Sequence, residues 1–158
     1  MVGEWSLSED VEGAPLWTFL CSIVSQFIIF PIVGHCCSAK TYNFVFTALL
    51  IKDFFVCDLS KPLVAHHILS IFLVHKFCHR KSDMLMCTIG ELGSAFFNVA
   101  TLSRHYNILV DPVYVLYAII ISLSNLYVLQ HVFQYRTTLF WKLMPSLVVL
   151  GRQSFVYV

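Results

Sequence analysis

The chain has 158 residues, the length of a single domain, and it is too apolar for a soluble one. Hydrophobic residues make up 58% of the sequence and charged residues 12%, about half the share in an average soluble domain. The formal net charge of +1 provides no basic field for a phosphate backbone, so we expect no nucleic-acid partner. The composition therefore predicts an integral membrane domain.

The first 15 residues are acidic. They contain no Lys or Arg, and their carboxylates are Glu4, Glu9, Asp10 and Glu12. Because a secretory signal peptide starts with a basic region, we expect residues 1–15 to be an acidic N-terminal tail followed by an uncleaved first membrane span. Residues 16–158 then form the transmembrane domain.

Six apolar runs with short connections follow this tail. The first is about 19 residues long, enough for a helix to cross a hydrocarbon layer of ~30 Å. Asp111 and Pro112 suit the N-cap and first position of the fifth helix, whereas Lys142 and Pro145 weaken the sixth run. The sequence predicts an all-α, multi-pass transmembrane helical bundle of five to six spans. The runs are 16–34, 42–59, 62–78, 84–102, 112–133 and 139–158.

Basic residues are distributed unevenly between the two ends of such a bundle. If the N-terminus faces away from the cytosol, the opposite side receives only Lys61, Arg104 and, if the last run spans, Arg152. The cytosolic side then carries Lys40, Lys76, Arg80, Lys81 and Arg136. Because cytosolic loops are enriched in Lys and Arg, we expect this orientation.

Two histidines at i, i+4 spacing raise the question of a metal site. His75 and His79 have the spacing of a metal-binding pair, but they lie beside Lys76, Arg80 and Lys81. A basic end that touches anionic lipid head groups explains this cluster better. We therefore predict no metal and no cofactor.

Ionisable residues inside the apolar runs are the candidates for function, because each costs roughly 2.5–3.5 kcal/mol to insert. Glu91 is centred on a polar stripe of its predicted helix, together with Ser94 and Asn98. Asp53 is a second carboxylate at membrane depth, and its neighbour Lys52 either pairs with it or packs along the helix. Such carboxylates should point into the bundle.

The tandem histidines His66 and His67 lie early in the third run. A histidine can accept and return a proton near neutral pH, so an acid–base pair with Glu91 is one interpretation. The other is that these side chains only form hydrogen bonds between helices.

These polar residues occur in an order that resembles a known family of membrane proteins. Asp53, then His66-His67-Ile-Leu-Ser, then Glu91-Leu-Gly-Ser-Ala-Phe-Phe-Asn98 resembles the core of the TLC domain family, over residues 42–135. The resemblance is closer to the small TLC domain-containing proteins than to the ceramide synthases, which carry an additional His-Asp-x-x-Ser-Asp stretch. It implies a bundle in the endoplasmic reticulum or another endomembrane, with a lipid-related role.

Three functions follow as hypotheses. The favoured one is a protein that binds or senses lipid and influences membrane lipid composition, with a site made of Asp53, His66, His67, Glu91, Ser94 and Asn98. The second is an acyl-CoA-dependent lipid acyltransferase, in which His66 or His67 is the general base and Glu91 orients it. The third is a structural or trafficking protein without lipid chemistry. We expect membrane lipids as partners, and other membrane proteins or a second copy of the chain as further ones.

Overall fold

A computed structural model describes residues 6–135 and 138–154, and for residues 141 and 152–154 it describes the backbone alone. These residues form an all-α bundle that is preceded by two very short strands. Glu4, Arg136 and the last residues of the sixth predicted run lie outside the described residues. The strands are β1 (Asp10–Val11) and β2 (Ala14–Pro15), and the helices are α1 (Leu16–Cys36), α2 (Ala39–Val56), α3 (Lys61–Phe77), α4 (Lys81–His105), α5 (Val110–Tyr135) and α6 (Leu139–Ser154).

Local chemistry explains most helix boundaries. The Ser38 hydroxyl accepts a hydrogen bond from the Thr41 N–H and caps α2, while Pro62 lies in the first turn of α3. The expected N-cap at Asp111 is wrong, since α5 already begins at Val110. Pro112 is the third residue of α5, where proline is tolerated because the first N–H groups of a helix have no intrahelical acceptor.

Helix α1 contains a π-helical turn at Ser25–Ile29. The segments before and after it are regular α-helix, so this turn accommodates one additional residue within an otherwise continuous element. Ser25 and Gln26 in this turn are buried, whereas Ile28 and Ile29 are exposed. The turn thus directs two polar side chains into the bundle.

The six helices surround a common interior. Packing contacts connect α1 to α2, α2 to α3, α3 to α6, α6 to α5, α5 to α4, and α4 back to α1. The most extensive packing is between α4 and α5. The sequence order 1-2-3-6-5-4 around this ring brings the polar face of α4 opposite the tandem histidines of α3.

The bundle exposes large apolar side chains and buries polar side chains among the apolar ones of its core. Large apolar side chains such as Phe44 (73% exposed) and Phe55 (83%) face outward, whereas Asn43 and His131 are buried. Within the described residues, α1, α4 and α5 are long and apolar enough to cross a membrane, and the other three helices are shorter. This distribution suits a surface covered by lipid.

The N-terminal hairpin (residues 10–15) packs onto the bundle. Glu12 (φ 50°) and Gly13 (φ 86°) both have positive φ, as the two central residues of a type I′ turn require. Val11 is fully buried, and the Asp58 N–H donates to the Gly13 carbonyl. The hairpin in the acidic segment is therefore packed against the bundle and hydrogen-bonded to the α2–α3 loop.

Candidate functional site

A cavity of about 340 Å³ lies inside the ring of helices. Helices α1 to α5 and the N-terminal hairpin all contribute to its wall. Every residue that the sequence nominates as a site residue lines this cavity, namely Asp53, His66, His67, Glu91, Ser94 and Asn98. The structure thus brings together residues from α2, α3 and α4, and their function stays a prediction.

Asp53 joins two basic side chains at the wall of the cavity. Its Oδ1 lies 3.0 Å from Lys52 Nζ, and its Oδ2 lies 3.0 Å from His67 Nε2. His67 Nδ1 donates to the Leu63 carbonyl, 2.9 Å away. Because both ring nitrogens face oxygen acceptors, a proton must lie between His67 and Asp53, and His67 has no free lone pair to accept another.

Lys52 connects this group to α1. Its ammonium donates to the Ser22 hydroxyl at 3.1 Å and to the Thr18 carbonyl at 3.4 Å, and it lies 5.8 Å from the centre of the Trp17 ring. The sequence left open whether Lys52 pairs with Asp53 or packs along its helix, and in the structure the two form an ion pair. The positive charge is therefore compensated inside the protein.

The second polar group of the cavity is held by Gln26, which sequence reasoning missed. Gln26 Nε2 donates to Glu91 Oε2 at 3.0 Å, and Gln26 Oε1 accepts from Asn98 Nδ2 at 3.2 Å. One amide thus connects two side chains that lie two turns apart on α4. The available signal was a glutamine inside an apolar run, where an amide needs partners.

A smaller cavity of about 90 Å³ adjoins the first, and His66 and Glu91 line both. The other residues that line this smaller cavity are mainly apolar, among them Val128, Val132 and Val149. His66 therefore lies between the larger cavity, which polar and apolar side chains line, and the smaller, mainly apolar one.

Other polar residues of the α4 stripe divide between the cavity and the packed interior. Ser94 and Thr101 line the larger cavity, whereas Thr88 contacts the buried Tyr42 hydroxyl at 3.1 Å.

On α1, Thr18 also lines the cavity, and its buried hydroxyl has no hydrogen-bond partner among the described residues.

The charges that line the cavity are acidic. Its described lining residues include no Lys or Arg, and the carboxylates among them are Glu12, Asp53, Asp58 and Glu91. The basic partners of Asp53 and Glu12 are Lys52 and Arg104, and each is engaged in an ion pair. The cavity therefore presents acceptors and hydroxyls to a ligand, with no unpaired lysine or arginine.

The two histidines with metal-like spacing point to separate partners. His75 Nε2 lies 2.8 Å from the Thr47 hydroxyl, and His79 Nε2 donates to the Lys76 carbonyl at 3.1 Å. In the part of the chain that the structure describes, no three His, Cys, Asp or Glu side chains are arranged to hold a metal ion.

Comparison with known proteins finds no matching family model, no matching curated protein and no matching solved structure.

Proposed function

We propose that this chain is a TLC-type, multi-pass membrane protein of five to six spans that binds or senses a lipid in its interior cavity. Its effect would be on membrane lipid composition in the endoplasmic reticulum or another endomembrane. The observation that carries the proposal is the 340 Å³ cavity, lined by both polar and apolar side chains, in a bundle whose outer surface is apolar. A cavity of this size and mixed lining is typical of small-molecule sites.

The side chains of the cavity favour binding over turnover. Both nitrogens of His67 are engaged, and Glu91 accepts from Gln26. A histidine with no free lone pair cannot act as a general base unless its contacts break. The polar groups of the cavity are thus held in place as a recognition surface.

The chemistry of the lining also restricts the lipid head group. Acceptors dominate, and no Lys or Arg lines the cavity among the described residues. A head group that donates hydrogen bonds, through a hydroxyl or an ammonium, can pair with Glu91 at the cavity wall. A bare phosphate monoester would face carboxylates and be repelled.

Quantification of co-purified lipid tests the proposal. The full chain would be purified in mild detergent, and bound lipids would be extracted and measured by mass spectrometry. We expect one lipid class near equimolar ratio in the wild type and a loss of roughly tenfold or more in Asn98→Leu or Glu91→Gln, because each removes a polar partner that the head group needs.

The matched control is Leu85→Ala, which changes an exposed apolar side chain on the same helix and lines neither cavity. Lipids that merely coat the surface would be affected by this variant and not by the cavity variants. Equal lipid content in all four proteins would refute binding in the cavity and leave the structural or trafficking role.

An acyltransferase is the second candidate, favoured by the position of His66 between the larger and the smaller cavity. His66 would accept the proton of a hydroxyl or amine that attacks an acyl thioester, with Glu91 as its partner and CoA as the leaving group. Purified protein that consumes acyl-CoA, and stops when His66 is changed to Ala, would establish this activity.

A further inference from the structure

The N-terminal hairpin forms part of the wall at one end of the cavity. Glu12, Gly13 and Ala14 are the hairpin residues that line it. The hairpin lies at the end where α4 finishes and where the α2–α3 loop begins, and the cavity residues at this end include Asp58.

Two contacts hold the tip of the hairpin. The Arg104 guanidinium donates to both carboxylate oxygens of Glu12, from Nη2 to Oε1 at 2.7 Å and to Oε2 at 2.9 Å. The Gly13 carbonyl accepts from the Asp58 N–H at 2.9 Å. One contact ties the hairpin to α4 and the other ties it to the α2–α3 loop, so the hairpin bridges the two walls that carry the predicted site.

A further contact anchors the segment in front of the hairpin. The Glu9 carboxylate accepts from His105 Nε2 at 3.2 Å and from the Tyr106 hydroxyl at 2.9 Å. Both partners directly follow Arg104 in the chain, so the side chains that hold the N-terminal segment come from the end of α4.

These attachments are weak enough to release. Arg104 and Glu12 are 63% and 43% exposed, and ion pairs in contact with water contribute little to stability. A hairpin of two-residue strands is not stable by itself, so its docking depends on Val11, Ala14 and these polar contacts.

We propose that the N-terminal hairpin is a lid over the cavity, and that the Glu12–Arg104 pair is its latch. Opening the latch admits a ligand from the end of the bundle that carries Arg104 and Asp58. The proposal does not depend on which ligand the cavity binds, and its test uses no lipid ligand.

Cys57 reports on the lid because it lines the cavity next to Asp58. The full chain would be treated with a small water-soluble maleimide, and the modification rate at Cys57 would be measured by peptide mass spectrometry. Cys36, an exposed cysteine at the opposite end of α1, serves as the internal reference in the same sample. We expect Arg104→Gln to raise the Cys57 rate roughly two- to fivefold, the range for an exposed ion pair, and to leave the Cys36 rate unchanged.

Two further variants make the test specific. The exchange Glu12→Arg with Arg104→Glu restores the pair with reversed charges and should return the Cys57 rate to that of the wild type. Lys61→Gln removes the same charge at the same end of the bundle from an exposed residue at the start of α3, and should have no effect. An unchanged Cys57 rate in Arg104→Gln, a parallel rise at Cys36, an equal rise in Lys61→Gln, or no rescue by the exchange would each overturn the proposal.

Discussion

Asp53 is the most heavily engaged carboxylate of the cavity, since it contacts both Lys52 and His67 at 3.0 Å. We expect Asp53→Leu and His67→Leu each to lower the free energy of unfolding by about 2 kcal/mol, because each leaves a partly buried charged or polar partner unsatisfied. The double variant should lose less than the sum of the two by about 1–3 kcal/mol, since it removes both partners. Denaturant unfolding in mixed micelles measures the three values.

The control for this cycle pairs Asp53→Leu with Asp83→Asn. Asp83 contacts Arg80 and His131 near the other end of the bundle, so the two effects should add within about 0.5 kcal/mol. Additive effects in the Asp53–His67 pair as well would mean that their contact contributes no free energy to the fold.

Single residues of the site were predictable to the extent that they break the apolar pattern. Asp53, His66, His67 and Glu91 stand out because a charge or imidazole inside an apolar run requires a reason. Gln26 was missed because a neutral amide inside an apolar run is less unusual than a charge or an imidazole. Its importance depends on the π-helical turn, and one-dimensional periodicity does not reveal such a turn.

At the scale of one element, the π-helical turn of α1 positions Gln26 against Glu91 and Asn98. Deleting the exposed Ile28 should convert the turn to regular α-helix, while the helix before and after it keeps its packing. We expect helix content to remain and the melting temperature to fall by only a few degrees, whereas bound lipid decreases roughly tenfold or more because Gln26 no longer faces Glu91. Circular dichroism and lipid extraction give the two results.

The matched control is deletion of Ile32, an exposed residue in the α-helical part of α1. Without a π-helical turn to absorb the change, every residue beyond it rotates by about 100° and the packing of the helix end is lost. If deletion of Ile28 destabilises the protein as much as deletion of Ile32, the π-helical turn does not hold one additional residue that the helix can lose.

The N-terminal segment should detach in acid. Hydrogen bonds from His105 and then from Tyr106 hold the pKa of Glu9 below its ordinary value of 4.5. A carboxylate with a lowered pKa stabilises the docked segment above pH 4.5, and this contribution disappears as the pH falls through the lowered value. We expect the rate at which pepsin cleaves the segment, divided by its rate on an unstructured reference peptide at the same pH, to rise below pH 4.5, and Glu9→Gln to reduce this rise. A pH profile that is the same in both proteins would exclude Glu9 as its cause.

Helices were more predictable than the N-terminal hairpin. Each apolar run became a helix, with boundaries moved by a few residues, because apolar length and proline position act locally. The hairpin has strands of two residues, too short for any periodicity, and it is held by Arg104, a residue far along the chain. Contacts of that kind arise only once the bundle has assembled.

At the scale of the whole molecule, the two ends of the bundle differ in charge. The end with Cys36 carries Lys40, Lys76 and Lys81, and the Lys81 ammonium donates to the His35 and Cys37 carbonyls at the end of α1. The other end carries the acidic N-terminal hairpin and the loops around Asp58 and Tyr106. The sequence predicted this polarity, but not the ring order, because packing of nonadjacent helices depends on three-dimensional complementarity.

This polarity predicts the orientation of the protein in its membrane. In sealed microsomes, whose outer face is cytosolic, we expect a membrane-impermeant maleimide to label Cys36 at once, because cytosolic loops are enriched in Lys and Arg. Cys57, at the opposite end of the bundle, should be labelled only after the vesicles are permeabilised. Labelling of Cys57 in sealed vesicles, with Cys36 protected, would mean that the basic end faces the lumen and that the lid opens toward the cytosol.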